Sequence, residues 1–321
     1  MIRGRHRHRT HRPEYQNLDD RVYLTDSQPA VFGTLQIRRN LRIGWPNVDA
    51  RFSFTAAIES MPTLSQIAIY PLKSFDPIFV PHVDVLSSGA LQFDRRFAFV
   101  DSSGKFLNAK RTATVHALQV QIDPLVRTLT ARPRNADNCL HWQIDTDREA
   151  IEHWFSQYFS LNLNLVENED GGFPDDTEAT GPTVVGTSTL QTVANWFPGL
   201  TLEQVRLRFR ANLEIADSEP FWEDRLFGET EGVARAFRIG EVLLAGTNPC
   251  QRCVVPTRDP ATGAVWPEFA KIFALTRSTQ LPSWAPRSRF DHFYRLTVNT
   301  RPMGSSGGAL HVGDEIQLVT T

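Results

Sequence analysis

The sequence predicts a mainly β (α+β) fold, an N-terminal β-barrel-like domain followed by a second β-barrel with a few short helices. Apolar residues alternate with period two from Leu64 onward, only three segments carry helical spacing, and at 321 residues the chain is long enough for two domains with a substantial core. The expected organisation is a leader over 1–60, a first domain over 64–168 and a second over 182–320.

Met1 to Arg12 holds five arginines and three histidines and almost nothing apolar, so this stretch is predicted to stay disordered. A tether to nucleic acid or anionic lipid is the functional reading of those charges. An organellar transit peptide fits less well, because the arginines are not interleaved with an apolar face. Met61 immediately precedes the first convincing strand, which suggests an overextended gene start and a leader dispensable for folding.

Ile67 and Ile69 share a strand face until Pro71 stops the run. Phe97 and Phe99 share another, and Asp101-Ser-Ser-Gly104 turns the chain into a return strand through Phe106. Leu118, Val120 and Ile122 alternate, as do Leu161, Leu163 and Leu165. Thr146 with Glu149 reads as a capping box for a helix bearing Ile151, Trp154, Phe155 and Tyr158 on its core face. Ser188 with Gln191 reads as a second capping box, ahead of Leu190, Val193, Ala194 and Phe197, with Pro198-Gly199 as the stop. The N-terminus of that helix is suited to an anion. Between the two helices, the acidic, glycine-containing stretch from Glu167 to Pro182 reads as a loop or lid.

Val205 to Glu214 alternates and reads as a strand that would place Arg206, Arg208, Arg210 and Asn212 on one face, either a solvated exterior or a row facing an anion. A strand over Phe237 to Leu244, a helix near Phe269 to Leu275 and strands around Tyr294 to Val298 and Leu310 to Val319 follow.

The formal net charge of −2 argues against nonspecific nucleic-acid binding as the main role, and no apolar run approaches the length of a membrane span. Few cysteines and no signal peptide predict a reducing, cytoplasmic compartment.

The densest chemistry lies in Asn248-Pro-Cys-Gln-Arg-Cys-Val-Val-Pro-Thr-Arg-Asp259-Pro-Ala-Thr-Gly263. Cys250 and Cys253 flank Arg252, and a guanidinium nearby favours thiolate, the form that attacks electrophiles or ligates metal. With Cys139 as the third and last cysteine, neither a disulfide framework nor a four-cysteine zinc site can be built from one chain. Core filling is one reading of the pair. A thioredoxin-like redox pair should open a helix, which Pro256 and Pro260 oppose. Mixed zinc ligation lacks a histidine close downstream. A single reactive or metal-bound thiolate on a loop survives best. Tyr70-Pro-Leu-Lys73-Ser74 and Asp94-Arg95-Arg96 add cations and a hydroxyl beside strand ends, a pattern suited to an anionic ligand rich in acceptors.

Ile69-Tyr-Pro-Leu-Lys-Ser74, Gly89 to Asp94-Arg95, and Cys250-x-Arg252-Cys253 with Asp259-Pro-x-Thr-Gly263 together resemble the MOSC superfamily with its preceding N-terminal β-barrel domain. That superfamily is related to the C-terminal domain of molybdenum cofactor sulfurase and to the mitochondrial amidoxime-reducing component. The resemblance runs from about Leu64 to Leu318. It implies Mo-molybdopterin as cofactor, Cys253 as the metal ligand, Arg252 beside the metal, and Lys73, Ser74, Arg95, Thr187, Ser188, Arg210 and Asn212 around the pterin and its phosphate. It implies chemistry independent of pyridoxal phosphate, with electrons from a separate ferredoxin- or flavin/cytochrome-type reductase, because no ferredoxin-like cysteine cluster follows the domain. Many relatives carry Phe-Gly where this chain has Phe290-Asp291-His292-Phe293, a departure that bears on substrate scope.

The leading expectation is therefore a molybdenum-cofactor oxidoreductase reducing small N-hydroxylated compounds. The alternatives are a sulfur carrier of the molybdenum cofactor sulfurase type, with Cys253 bearing a persulfide, and a non-catalytic molybdopterin carrier.

Overall fold

A computed structural model describes residues 61–304 and 307–319 of the chain; the expectations for residues 1–60 lie outside the described residues. The described part is mainly β. Strands β1 (Thr63–Ile69), β2 (Ile78–Val80) and β3 (His82–Val85) come first, then β4 (Phe97–Asp101), β5 (Leu118–Asp123), β6 (Thr128–Pro133), β7 (Leu140–Gln143), helix α1 (Arg148–Phe159) and β8 (Leu163–Glu167). The second half runs β9 (Val184–Gly186), α2 (Thr187–Asn195), α3 (Leu202–Phe209), β10 (Leu213–Ala216), β11 (Arg235–Ile239), β12 (Val242–Gln251), α4 (Phe269–Thr279), β13 (Arg295–Pro302), β14 (Gly308–His311) and β15 (Ile316–Leu318).

One sheet organises the molecule, in the order β15-β11-β12-β13-β9-β10-β1-β2. It is almost entirely antiparallel; β9 and β10 run parallel, joined by the α2–α3 crossover that such a pair requires. The far edge of β1 serves two neighbours. Ile67 to Ile69 pair with β2, whereas Thr63 bridges Glu315 and the Leu64 N–H donates to the Asp314 carbonyl at 2.8 Å. A strand shared in this way joins β15 back to β1 and closes the sheet into the expected barrel, whose interior is filled by Leu64, Ile67, Val184, Leu213, Phe237, Leu244, Val298 and Ile316. Val83, Val85 and Leu91 pack into the same core, so the first thirty or so described residues build into the C-terminal half rather than apart from it.

Residues from Leu72 to Leu165 form a second core under β4–β8, the β5-β6-β7 sheet and α1. Phe155 stacks on Phe99 with centroids 4.4 Å apart, as the helical spacing of the aromatic stripe predicts. A third core joins α2, α3 and α4, centred on Phe197 stacked against Phe269 at 4.3 Å.

Four sequence expectations are corrected. Leu202–Phe209 is helix, not strand, and its start carries the capping box: Thr201 Oγ1 accepts from the Gln204 N–H while Gln204 Oε1 accepts from the Thr201 N–H. The box expected at Thr146 and Glu149 is absent, since the N-cap of α1 is Asp147. The box expected at Ser188 and Gln191 is absent as well, because α2 leaves strand β9 directly through Gly186 at its N-cap. The return strand after Gly104 shrinks to a single bridge between Val100 and Phe106, because β8 pairs along β4 instead.

Candidate functional site

Ser74, Arg95 and Arg210 are non-glycine residues with positive φ, at 78°, 51° and 53°. Backbone of that kind costs about 1–3 kcal/mol per residue and tends to cluster at functional sites. All three line one cleft of about 590 Å3, within the usual size of a small-molecule or cofactor site.

Tyr70, just past β1, holds two of them. Its N–H donates to Asp94 Oδ1 at 2.8 Å, and its carbonyl accepts the Arg95 N–H at 2.8 Å. Asp94 in turn pairs with the Arg95 guanidinium at 2.5 Å. On the ring side, the Arg210 guanidinium lies 4.1 Å from the Tyr70 centroid and donates to the Phe75 carbonyl at 2.7 Å. Burial pushes the Tyr70 hydroxyl up to about 12 even though Arg210 and Arg95 oppose that shift, so the ring stays neutral between the two cations. Arg210 is the left-handed cap of α3, which turns its side chain away from those of Arg206 and Arg208.

The cysteines enter from the end of β12. Register against β13 slips between Gly246 and Asn248 and again between Pro249 and Gln251, bulges that re-aim the side chains of this segment. Cys250 and Cys253 both line the cleft. Arg252 Nη1 donates to Cys250 Sγ at 3.3 Å and to Thr297 Oγ1 at 3.4 Å, and its other terminal nitrogen donates to the Phe209 carbonyl. Cys253 Sγ accepts from the Val255 N–H at 3.5 Å, its one hydrogen bond among the described residues. The guanidinium therefore sits on Cys250, while Cys253 retains coordination capacity toward the cleft. Beyond the pair, Asp259 Oδ1 accepts from the Ala261 and Thr262 N–H groups, and Gly263 holds a φ of 73° where a Cβ would come within 2.7 Å of the Ala113 carbonyl. Only glycine permits that approach, which locks the motif loop against the segment carrying His116.

The other expected site residues divide. Lys73 lies behind the cleft wall, buried, with Nζ donating to Asp175 Oδ1 at 2.6 Å and to the Phe173 carbonyl at 2.7 Å. Asn212 also backs the wall: its Oδ1 accepts from Thr183, a lining residue, at 3.2 Å, and its Nδ2 donates to the Ala68 carbonyl at 3.1 Å. Thr187 and Ser188 start α2 and are not among the residues lining the cleft. The arginine row dissolves with the strand that would have carried it. Arg206 forms a two-pronged pair with Glu214, both bonds at 2.7 Å, and Arg208 is buried against the carbonyls of Pro256 and Arg258.

Sequence reading missed Lys110, His116, Asp175, Arg295 and Asn299, all lining the cleft from remote positions in the chain. Asp291, in the segment where the resemblance implies glycine, accepts from Arg295 Nε at 2.9 Å and from a terminal nitrogen at 2.7 Å, and thereby fixes a cleft arginine. Lining cations (Arg95, Lys110, Arg208, Arg210, Arg252, Arg295) outnumber the carboxylates of Asp175 and Asp176, which suits a polyanionic ligand.

His116 adds an uncharged group. Burial, then Arg210, Arg258 and Arg134, hold its imidazole down at about 4, and its Nε2 is buried with no partner among the described residues. Folding thus removes a proton-binding site, so the stability that neutral His116 contributes is present in full above pH about 6.5 and is lost as pH falls toward 4. Urea midpoints should decline less between pH 7 and 5 for His116→Gln than for the parent protein; equal declines would contradict the neutral assignment.

Among the described residues no group of three or more His, Cys, Asp or Glu could hold a metal ion, so a metal at Cys253 would take its remaining ligands from a bound molecule. No helix among the described residues is long and apolar enough to cross a membrane.

Two proteins named molybdenum cofactor sulfurase are similar, one from Drosophila grimshawi at 27% identity over 254 residues, covering 68% of this chain, and one from Drosophila mojavensis at 26% over 300 residues, covering 81%. The matched region spans 31% and 37% of those relatives, about a third of their length. A crystal structure of the YUAD protein from Bacillus subtilis is a remote likeness, with 14% identity and a TM-score of 0.32 over 81% of this chain and 96% of that one. Residues 61–162 match the MOSC N-terminal beta barrel domain and residues 186–317 match the MOSC domain, so the chain belongs to the MOSC-domain superfamily.

Proposed function

We propose that this protein is a molybdenum-cofactor-dependent oxidoreductase that reduces small N-hydroxylated compounds, with Cys253 as the protein ligand of the metal. The observation that carries the reading is Cys253 Sγ, with a single weak hydrogen bond, on the wall of a cleft where Ser74, Arg95 and Arg210 converge in strained backbone. These residues fit Mo-molybdopterin: a soft sulfur ligand for the metal, several guanidinium groups for a phosphate, and unpartnered buried donors and acceptors at His116 Nε2 and Arg252 Nε for the pterin's polar edge. When bound, such a cofactor would supply the two-electron redox chemistry at its metal. The chain's own part is to bind and orient. Arg95 and Arg210 place positive charge, Tyr70 keeps them apart, Asp291 fixes Arg295 at the substrate side, and Lys73 and Asn212 brace the wall from behind. Electrons would come from a separate ferredoxin- or flavin/cytochrome-type reductase. A cytoplasmic setting fits three free cysteines, two of them in this cleft.

Purified, cofactor-loaded protein should reduce an amidoxime or hydroxylamine when given a chemical electron donor; no turnover despite bound molybdenum would favour the carrier reading. A sulfur-carrier role, with the persulfide on Cys253, is favoured by the names of the relatives. Persulfide labelling at Cys253 in protein lacking molybdenum would select it.

Asp291→Gly should free Arg295 and change KM for charged N-hydroxylated substrates by about fivefold or more, with kcat for neutral ones little altered, because a positioning contact rather than a reacting group is lost. Equal effects on both substrate types would contradict that role.

A further inference from the structure

Strands β3 and β14 pair with each other beside the main sheet. Their register puts His82 directly opposite His311, and the Val312 N–H donates to the Pro81 carbonyl at 2.9 Å. The two histidines, next to that bonded pair, therefore form a non-hydrogen-bonded pair, the cross-strand position at which side chains come closest. Val83, Val85 and Leu310 turn into the core, so both imidazoles stand on the opposite, exposed face. Their rings stack with centroids 5.8 Å apart and planes 22° from parallel. Opposed imidazoles serve strand pairing alone poorly, because like charges directly opposite repel whenever both rings hold a second proton.

Carboxylates complete the surroundings. Asp314 Oδ2 accepts the His311 N–H at 2.8 Å, which holds it 3.9 Å from His311 Nδ1. A carboxylate on that side of the ring favours a proton on Nδ1 and leaves Nε2 as the free donor atom. Asp84 follows His82 by two positions on the same exposed face, where its register partner is Ala309, too small to crowd the pair. His82 and Asp84 also line a groove of about 610 Å3, which leaves space for water ligands.

We infer that His82 and His311 form a two-imidazole site for a borderline divalent transition ion of the Zn2+, Ni2+ and Cu2+ class, which clips β3 to β14. Such ions suit imidazole nitrogen, at about 2.0–2.1 Å for zinc, whereas Mg2+ and Ca2+ demand oxygen. The second side-chain torsion of histidine is broad, so rotation of two exposed rings brings a nitrogen from each onto one ion. Water supplies the remaining positions, since no third His, Cys, Asp or Glu among the described residues completes a metal-holding group. An ion that needs both strands in register binds the folded chain and stabilises it by mass action. Neither histidine lines the catalytic cleft, so the site is independent of the cofactor reading.

Zn2+ added to the full chain is the probe, with Mg2+ as the control. The urea midpoint of the parent protein should rise with Zn2+ and not with Mg2+. His82→Gln and His311→Gln should each raise the Zn2+ concentration needed for that rise about tenfold or more, and the double variant no further than either single one, because a chelate fails when one arm is lost. The cysteines and the three histidines of Met1 to Arg12 are common to all four proteins, so zinc held there does not distinguish them. Equal responses from parent and variants overturn the inference, as do losses that add in the double variant, which two separately bound ions would give. Should a variant not fold, the parent protein still decides. Diethyl pyrocarbonate modification followed by peptide mass analysis should find His82 and His311 protected together at one Zn2+ concentration; modification of either ring unchanged by saturating Zn2+ overturns the site.

Discussion

Cys253→Ala is expected to lose essentially all reduction of N-hydroxylated substrates while keeping the parent melting temperature, whereas Cys250→Ala keeps the greater part of it. The reason is geometric. Cys250 Sγ already accepts a hydrogen bond from Arg252, while Cys253 Sγ holds one 3.5 Å contact with a backbone N–H and faces the same cleft. Neither sulfur is part of a core cluster, so removing either leaves packing intact. A metal-bound sulfur cannot be replaced by a methyl group, and the loss should therefore appear in kcat with no compensating change in KM. Activity retained in Cys253→Ala and lost in Cys250→Ala would reverse the assignment. Steady-state assays on equal amounts of folded protein check it.

Arg277→Ala is expected to produce the largest loss of stability, about 3–5 kcal/mol. Arg277 is 1% exposed in α4 and pairs with Asp224, itself 3% exposed, while its guanidinium lies 4.0 Å from the Phe221 ring centroid and 5.2 Å from that of Phe290. Glu223 adjoins the pair, donates nothing to it, and is pushed up to about 7 by burial and by Asp224. Removing the guanidinium alone leaves one carboxylate uncompensated beside another in a dry interior. Arg277→Met combined with Asp224→Leu should recover much of the loss, because no charge is then left unpaired. Urea denaturation of the single and double variants measures both; a single variant within about 1 kcal/mol of the parent would contradict the account of this cluster.

Much of the fold is written locally. The aromatic stripe of α1, the alternation in β5 and the stop at Pro198-Gly199 each follow from spacing within a dozen residues. The segment from Val205 failed because Val-Arg-Leu-Arg-Phe-Arg satisfies two periods at once. Its alternation reads as strand, yet Leu202, Val205 and Phe209 also share a helix face, and the Thr201–Gln204 box would have decided in favour of helix. The two boxes read at Thr146 and Ser188 had the right residue types at helix starts that other residues cap. At α2, the chain leaves a fully buried strand through Gly186, and long-range pairing with β10 and β13 sets the start instead.

The lining of the cleft was legible where a motif holds its own chemistry, as at Ser74, Arg95 and Cys250 to Cys253. It was not legible where strands bring together residues far apart in sequence. Lys73 and Asp175 are separated by 102 positions, and His116 reaches the cleft only because the Gly263 turn docks on its segment. Nothing local marks Lys110 or Arg295 as different from other exposed cations beside turns. Arg206 shows the converse: a basic residue singled out by pattern is satisfied by Glu214 and Glu203.

Molybdenum content per protein chain, measured after expression in a host able to make molybdopterin, tests the central claim most directly. Close to one molybdenum per chain in the parent protein and in Cys250→Ala, falling to background in Cys253→Ala, is the predicted result. Parent protein that is folded, carries no molybdenum above background and still forms a persulfide at Cys253 would contradict it and establish the sulfur-carrier reading in its place.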